Sequence, residues 1–520
     1  MHSAAAPVTG AAEGVTDAAE AVTDAAEAVT RFLAEPRTMF IGGHWVGALS
    51  GRSYPSVDPS TGTVLTTVPD GDAADINRAV AAARRAFDAP GWRRMSPMER
   101  GALLNRVADV IEAHAEELAL LESHDNGKPV SVARAVDVGT SVKLFRYFAG
   151  WPSKLEGSTI PVSPRGGLRV LNYTTRQPLG VAGLIVPWNF PVSMACWKLA
   201  PALATGCTVV LKPAEETPLS TLRLAELLQE AGVPDGVVNV VTGRGATAGA
   251  ALAAHDGVDK IAFTGSTETG RAIVRAAAGN LKKVSLELGG KSPNIVLPDA
   301  DPQAVAEAAA QAVFFNQGQV CTAGSRLYVH RKIFDEVLDA VAERARGIVV
   351  GPGSDPATEM GPLVSARHHE RVSGYIAAGR EQGARLAAGG GRPDLGAPYD
   401  GGYFVQPTVF VAPDDSLSIV QEEIFGPVLA AMRWDDVDDL VERANDSPFG
   451  LSAGIWTSDL GHAHRIADEL QAGTVWINCY NLTDPASPFG GFKQSGWGRE
   501  MGRTVLDLYT EVKSVWVNLS

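Results

Sequence analysis

Short runs rich in valine and isoleucine alternate with longer stretches of helical period from residue 179 onward. The first series contains GVAGLIVPW, CTVVLKP, GVVNVVTG, KIAFTGS and VSLELGG, and a second series after residue 290 contains SPNIVLPDA, SRLYVHRKIF and GTVWINCY. Runs that are apolar throughout are typical of strands covered on both faces. The alternation therefore predicts βαβ units and an α/β fold with parallel sheets.

The region before residue 157 has strands first and helices after them. MFIGGHWV and SYPSVDPSTGTVLTTVP read as short strands joined by turns, whereas DAADINRAVAAARRAF and SPMERGALLNRVADVIEAHAEELALLESHDNG have a helical period. Ser96 is a predicted N-cap, with Pro97 at the first helical position and Glu99 completing a capping box.

Residues 11–30, AAEGVTDAAEAVTDAAEAVT, repeat every seven positions. Val15, Val22 and Val29 share one heptad position, with Ala18 and Ala25 three residues after the first two, which predicts a weakly amphipathic helix. The segment lacks the basic region and continuous apolar run of a signal peptide. Two interpretations stay open, a mobile alanine-rich tail and a helix packed on a neighbouring subunit.

Two segments fit neither α/β series. Residues 157–178, GSTIPVSPRGGLRVLNYTTRQP, read as a hairpin that turns at Pro164, Arg165, Gly166 and Gly167, and TEVKSVWVNL near the C-terminus reads as one more strand.

The composition excludes several classes of function. A chain of 520 residues predicts two or three domains, and its net charge of −14 argues against sequence-independent binding of nucleic acid. No apolar run reaches the roughly 18 residues that span a bilayer. The four cysteines form no CxxC pair, so we expect neither a metal site nor a disulfide framework, and a cytoplasmic location fits.

Three side chains are candidates for covalent and acid–base chemistry. Cys321 in FNQGQVCTAGSR is either a small buried hydrophobe or a nucleophile. Glu287 stands among apolar residues in LELGGKSPNIV, where a raised pKa would suit a general base. Asn189 in PWNFP carries an amide that could donate to an oxyanion. Each also has a purely structural interpretation.

Two further motifs suit a nucleotide. FTGSTETG (263–270) follows an apolar strand and opens a helix that Ser266 could cap. The backbone N–H groups there could donate to an anion such as a pyrophosphate, although the spacing is not GxGxxG. LKPAEETP (211–218) places Lys212 and Glu215 at the carboxyl end of a strand, where they could share ribose hydroxyls. Glu215 would repel a 2′-phosphate, which favours NAD over NADP.

The order PWNFP, KPAE, FTGSTETG, LELGGKSPNIV, GQVCTAGSR, EEIFGPV and SPFGGFKQSGWGRE resembles the aldehyde dehydrogenase superfamily from about residue 38 to the C-terminus. The resemblance implies that Cys321 is the nucleophile, Glu287 the base that activates water and Asn189 the oxyanion donor, with Lys198 and Glu500 relaying protons. It implies that NAD is the cofactor and lies against the following positions: Ile185, Val186, Pro187, Trp188, Lys212, Glu215, Gly245, Phe263, Thr264, Gly265, Ser266, Thr269, Leu288, Gly289, Glu423 and Phe425.

The resemblance also implies an architecture. It consists of a Rossmann-type NAD-binding domain (38–156 and 179–289), an α/β catalytic domain (290–494) and a β oligomerisation arm with the C-terminal segment (157–178 and 495–520), preceded by the extension 1–37. A homo-oligomer, a dimer of dimers, is expected.

The implied reaction oxidises an aldehyde to a carboxylic acid through a thiohemiacetal and a thioester on Cys321. Large apolar side chains around the acyl tunnel (Phe190, Met194, Trp197, Tyr480 and Phe489) suit an aromatic or medium aliphatic aldehyde, most like the phenylacetaldehyde dehydrogenase branch. A CoA-acylating enzyme, or a non-catalytic protein of the same fold, is the alternative. His368 and Arg371 stand where the family often has glutamine and lysine, which puts adenosine contacts there in doubt.

Overall fold

Two mainly parallel β-sheets, each covered by helices, organise the chain. The computed structural model describes residues 23–520. Its strands are β1 (Met39–Ile41), β2 (His44–Val46), β3 (Ser53–Val57), β4 (Val64–Pro69), β5 (Val170–Pro178), β6 (Val181–Ile185), β7 (Thr208–Lys212), β8 (Val238–Val240), β9 (Lys260–Thr264), β10 (Lys283–Glu287), β11 (Pro293–Val296), β12 (Arg326–His330), β13 (Arg385–Ala388), β14 (Thr408–Val411), β15 (Val428–Trp434), β16 (Phe449–Gly450), β17 (Ser452–Trp456), β18 (Thr474–Ile477), β19 (Phe492–Lys493), β20 (Gly496–Trp497) and β21 (Thr510–Asn518).

The helices connect and cover these strands. They are α1 (23–34), α2 (Ala73–Asp88), α3 (Pro90–Arg93), α4 (Pro97–Ala113), α5 (Ala115–Asn126), α6 (Val130–Val132), α7 (Gly139–Ala149), α8 (Pro191–Thr205), α9 (Leu219–Glu230), α10 (Ala250–Ala254), α11 (Thr267–Ala277), α12 (Pro302–Phe314), α13 (Phe334–Gly347), α14 (Ala366–Glu381), α15 (Ser418–Gln421), α16 (Val437–Asn445) and α17 (Leu460–Glu469). A π-helical turn, Ala133–Val138, links α6 to α7. None of the helices in residues 23–520 is long and apolar enough to cross a membrane.

The first sheet has the strand order β2-β1-β8-β7-β6-β9-β10-β20. Strands β8, β7, β6, β9 and β10 are mutually parallel, and β6 and β7 are buried along their whole length. The second sheet has the order β13-β14-β15-β12-β11-β17-β18 and is parallel except for β13. The predicted parallel α/β sheets are thus confirmed.

The chain passes from the first sheet to the second between Glu287 and Pro293. The expected domain boundary at 289/290 lies in this connection. The proposed C-terminal boundary needs a correction, because β20 pairs with β10 at the edge of the first sheet. Residues 496 and 497 therefore belong to the sheet and not to the arm.

The arm is a two-stranded ribbon in which β5 pairs with β21 over nine residues, from Val170↔Asn518 to Pro178↔Thr510. The predicted hairpin over 157–178 is confirmed in part. Its first half pairs antiparallel with β5 through the bridge Thr159↔Tyr173 and two backbone hydrogen bonds, and the Arg165–Gly167 turn lies in a longer loop between the two halves. β21 pairs with β5 along its whole length, a pairing that no local turn signal indicates.

Capping residues predict where a helix begins better than hydrophobic periodicity predicts how long it is. Ser96 and Glu99 form the predicted capping box of α4. The single helix predicted over 97–126 is interrupted at His114, where the backbone leaves helical geometry (φ −104°, ψ 24°) and the ring contacts Glu117.

The heptad segment ends in α1, which packs on its own chain. Val29 and Phe32 are buried in the same apolar cluster as Phe40 and Trp92. The apolar stripe of α1 is therefore covered by its own chain, a packing that neither interpretation of the heptad segment included. Val15, Ala18 and Val22 lie outside the described residues.

Candidate functional site

A cavity of about 490 Å³ lies where the carboxyl ends of the first sheet face the second, and Cys321, Glu287 and Asn189 all line it. The three residues come from three different segments. Asn189 follows β6, Glu287 ends β10, and Cys321 follows α12. Side chains at the carboxyl ends of parallel strands meet at one sheet edge, which accounts for the first two.

A tight turn brings Cys321 to the cavity. Asn316, Gln317 and Gly318 all have positive φ (48°, 59° and 70°). A Cβ at Gly318 would lie 2.2 Å from the carbonyl oxygen of Gly426, so this approach requires glycine. The turn leaves the thiol partly exposed to the cavity, whereas Cys196 and Cys207 are buried.

The electrostatics around Cys321 favour a protonated thiol. Burial, and then the charges of Glu423 and Glu287, raise the pKa of the thiol to about 12. The backbone N–H groups of Cys321 and Thr322 act in the opposite direction, because they donate towards the sulfur. Those donors also lie where an oxyanion on an atom bound to the sulfur would need them.

The amide of Asn189 is held in place from both ends. Its side-chain Nδ2 donates to the carbonyl oxygen of Gln319 at 2.9 Å, two residues before Cys321. The backbone carbonyl oxygen of Asn189 accepts from Nδ2 of Asn316 at 3.0 Å and from Nζ of Lys128 at 2.8 Å. The amide donor is thus fixed beside the thiol.

Glu287 is a buried carboxyl group with an unsatisfied atom. Its Oε2 has no hydrogen-bond partner among the described residues. Burial, and then the charge of Glu500, raise the pKa of Glu287 well above its usual value. Lys198 Nζ donates to Glu500 Oε1 at 2.5 Å, with both side chains buried. The structure therefore places an ion pair near Glu287 but away from the cavity wall.

The start of α11 forms part of the wall through Thr264, Gly265 and Ser266. Ser266 is the N-cap and accepts from the N–H of Thr269, as its position predicts. A Cβ at Gly265 would lie 2.5 Å from the ring of Phe263, so the turn has no room for a side chain. The N-terminal end of α11, with its backbone N–H groups and the helix dipole, suits an anion such as a pyrophosphate.

Lys212 and Glu215 lie beyond the cavity, at the end of β7. Lys212 Nζ donates to Glu215 Oε2 at 3.2 Å and to the carbonyl oxygen of Pro213 at 2.7 Å. Gly245 faces this pair, since a Cβ there would lie 3.9 Å from Glu215 Oε2. Ile185, Val186 and Phe263 are buried under the same sheet edge. Lys212, Glu215 and Gly245 thus form an outer part of the candidate site, next to the cavity.

The opposite wall comes from the second sheet. Glu423 Oε1 accepts from the N–H of Gly290 at 3.0 Å, and burial raises the pKa of this carboxyl to about 7. Phe425 adopts a positive φ of 61°, and its ring meets Trp188 edge-on at 5.2 Å. Pro187, Leu288 and Gly289, which follow strands of the first sheet, also line the cavity.

His368 and Arg371 also line the cavity, on one face of α14. Burial lowers the pKa of His368 to about 4, so the neutral ring donates from Nε2 to the carbonyl oxygen of Phe425 at 2.7 Å. Arg371 Nη2 donates to the carbonyl oxygen of Glu423 at 2.8 Å. Their i, i+3 spacing places both side chains on one face of the helix.

The predicted tunnel residues need one correction. Phe190, Met194, Trp197 and Phe489 line the cavity, and Trp197 meets Phe489 edge-on at 5.4 Å. Tyr480 does not line it, because its hydroxyl donates to the carbonyl oxygen of Thr322 at 2.9 Å and holds the ring behind the wall.

Several wall residues are not among those that the sequence predicts for the site. They are Val136, Thr140, Phe315, Val320, Asn481 and Thr483. Phe315 and Val320 precede Cys321 within the segment FNQGQVCTAGSR, and Phe315 stacks on Phe190 at 6.1 Å. Nothing local in the sequence of α7 marks its residues as part of a site.

Comparisons with known proteins agree with this geometry. A model described as "Aldehyde dehydrogenase family" matches residues 45–515. The putative aldehyde dehydrogenase DhaS of Bacillus subtilis is 53% identical, covering 94% of this chain and 97% of that protein. The phenylacetaldehyde dehydrogenase of Pseudomonas fluorescens is 52% identical, covering 92% and 95%. An NAD⁺ complex of an aldehyde dehydrogenase from Bacillus cereus superposes with a TM-score of 0.92 at 51% identity, covering 95% of this chain and 98% of that chain.

Proposed function

The chain belongs to the aldehyde dehydrogenase family, and we propose that it oxidises an apolar aldehyde to the carboxylic acid with NAD as hydride acceptor. The observation that carries this proposal is the meeting of one thiol, one buried carboxyl and one amide donor, Cys321, Glu287 and Asn189, in a single cavity. Each group matches one chemical need of the reaction.

The residues around the cavity fit NAD. The capped start of α11, with Gly265 in its turn, offers N–H donors to the pyrophosphate, and the Lys212–Glu215 pair offers a cation and a carboxylate to the adenosine ribose. Glu423 and Phe425 would hold the nicotinamide riboside against Leu288. NAD supplies the hydride acceptor when it is bound.

Cys321 and Asn189 act first. The thiol loses its proton to solvent, and the sulfur then adds to the aldehyde carbon to form a thiohemiacetal oxyanion. The Asn189 amide and the backbone N–H of Cys321 donate to that oxygen, and an oxyanion donor of this kind contributes roughly 3 kcal/mol. Loss of hydride from the same carbon leaves a thioester on Cys321.

Glu287 acts in the second half. Its carboxylate takes a proton from water while the water oxygen attacks the thioester carbon, which releases the acid and regenerates Cys321. Because burial raises the pKa of Glu287, the proton it takes up is retained strongly. The buried Lys198–Glu500 pair is the proposed route for that proton away from the site.

The walls of the cavity support an aromatic or medium aliphatic substrate. Phe190, Trp197, Phe315 and Phe489 present rings rather than charges, and aromatic walls bind apolar groups. A relative named phenylacetaldehyde dehydrogenase is 52% identical to the chain. We therefore propose a phenylacetaldehyde-like substrate.

The β5–β21 ribbon supports a proposed homo-oligomer, a dimer of dimers. Val512, Trp516 and Leu519 are more than half exposed on this ribbon, and exposed apolar groups of this kind mark interfaces. Light scattering after size-exclusion chromatography measures the mass of the oligomer.

A cytoplasmic location is proposed from the four unpaired cysteines.

The function is tested by NADH formation with a panel of aldehydes, in the presence and absence of CoA. We expect NADH and free acid with phenylacetaldehyde and no requirement for CoA. Cys321→Ala should abolish turnover and leave NAD binding intact, whereas Cys479→Ala, at another partly exposed thiol that does not line the cavity, should keep activity. Measurable aldehyde oxidation by Cys321→Ala would refute the assignment of Cys321 as the nucleophile.

A further inference from the structure

Lys128 is a fully buried lysine that touches two consecutive residues of the loop after β6. It lies just beyond the end of α5 and has no exposed side-chain surface. Its Nζ donates to the carbonyl oxygen of Asn189 at 2.8 Å and stands 4.4 Å from the centre of the Phe190 ring. The ammonium group is thus in direct contact with the segment that carries the amide donor.

Two buried carboxyl groups accompany this ammonium. Asp137 Oδ1 accepts from Lys128 Nζ at 2.9 Å, and Glu122 Oε1 lies 3.7 Å away, each without exposed side-chain surface. Burial, and then the charge of Asp137, raise the pKa of Glu122 well above its usual value. The cluster thus disfavours two adjacent carboxylates beside the Lys128 ammonium.

A buried ion pair is an inefficient way to stabilise a fold, because an apolar group of similar volume often serves as well or better. The pair of Lys128 and Asp137 therefore calls for a second role. Outside this cluster, Lys128 Nζ donates to the backbone carbonyl oxygen of Asn189. Asn126, two residues earlier, donates in the same way to the carbonyl oxygen of Trp188 at 2.7 Å.

We infer that Lys128 is a positioning residue for the oxyanion donor, fixing the backbone of Asn189 so that its amide stays beside Cys321. This inference rests on the proposed function, since it requires the Asn189 amide to act on an oxyanion. Lys128 and Asn316 hold the carbonyl oxygen, and Gln319 holds the side chain. Loss of the Lys128 bond releases one side of this clamp, and hydrogen bonds weaken steeply with angle and distance.

The test must not leave Asp137 charged and unpaired. We therefore compare Asp137→Asn with the double variant Asp137→Asn/Lys128→Met. The first keeps the Lys128 bond to Asn189 and leaves Glu122, 3.7 Å from Lys128 Nζ and freed from the charge of Asp137, as the counter-charge of Lys128. It is the matched control, expected within about threefold of wild type. The second removes that bond without stranding a charge. Because a misplacement of 1 Å can lower a rate by about 100-fold, we expect kcat for aldehyde oxidation to fall 10- to 100-fold between them.

Two further readouts separate positioning from a general structural role. NAD dissociation constants, from quenching of intrinsic fluorescence, should agree within about twofold between the two variants. In an Asn189→Ala background, adding Lys128→Met to Asp137→Asn should cause no further loss, because the amide that Lys128 positions is gone.

Three outcomes overturn the inference: unchanged kcat in the double variant, an equal loss in the Asn189→Ala background, or a double variant that fails to fold while Asp137→Asn folds. The last would assign Lys128 to stability alone. A wild-type protein that oxidises no aldehyde with NAD would instead refute the proposed function.

Discussion

Glu423→Gln should make the cofactor-free protein more stable, with an effect that grows as pH rises. Glu423 is a largely buried carboxyl group whose pKa is raised to about 7, chiefly by burial. A raised pKa means that the folded state prefers the protonated form. The stability from that preference is fully present below pH 4.5 and is lost as pH rises through about 7. Glutamine has the same shape, stays neutral and still accepts from the N–H of Gly290.

The size of the effect follows from the pKa. Each pKa unit corresponds to about 1.4 kcal/mol, so the rise from 4.5 to about 7 costs the wild-type folded state at most about 3 kcal/mol at pH 8. At pH 5 the same linkage gives about 1 kcal/mol. The difference between the two pH values, about 2 kcal/mol, is the quantity to measure.

The assay is thermal or denaturant unfolding of wild type and Glu423→Gln without NAD at pH 5, 6, 7 and 8. The midpoint of the variant should exceed that of wild type by a few degrees at pH 8 and by much less at pH 5. Glu422→Gln, at the exposed neighbouring acid that accepts from Tyr375, is the matched control and should show no such trend. A gap between wild type and Glu423→Gln that stays constant from pH 5 to pH 8 would refute the reasoning.

Three other substitutions are informative. Glu287→Gln should lower kcat by about 10²- to 10⁴-fold and leave at most a single turnover of NADH per thiol in stopped flow. The variant should also lose the rise of the rate with pH that the raised pKa of Glu287 predicts for the wild type. Steady turnover in the variant would contradict this role. Glu215→Gln should raise kcat/KM with NADP at least roughly tenfold, because it removes a charge that would face the 2′-phosphate; an unchanged NADP/NAD ratio argues against that contact. Phe489→Ala should lower kcat/KM for phenylacetaldehyde by about 10-fold or more relative to acetaldehyde, since it removes a wall ring; equal losses for both aldehydes would place the ring outside the substrate site.

The sequence predicts those features that local rules control. Ser96 and Ser266 cap helices as their positions indicate, because a capping side chain acts on backbone groups two or three residues away. The uniformly apolar runs predict buried parallel strands for the same reason, since the pattern lies within each strand. The identities of Cys321 and Glu287 stand out in the sequence, but their meeting depends on how two sheets are apposed.

Other features depend on distant partners. Tyr480 is large and close in sequence to the second sheet's edge, yet its hydroxyl binds the carbonyl oxygen of Thr322, so the ring turns behind the wall. β5 pairs with β21, more than 300 residues later, which no turn signal can reveal. The Val/Ala stripe of α1 predicts that one face of the helix is buried, but small apolar side chains do not specify which surface buries it.

The placement of β20 has a consequence for biosynthesis. The strand that carries Glu287 is completed at its edge by residues 496 and 497, and Lys198 finds its carboxylate partner only at Glu500. Domains tend to fold in order as the nascent chain leaves the ribosome. Here the first sheet stays open, with its edge and a buried ammonium unpaired, until more than two hundred further residues have been translated. A prematurely terminated polypeptide that stops short of this stretch is therefore expected to be cleared by cellular proteases rather than to persist as a partially active enzyme.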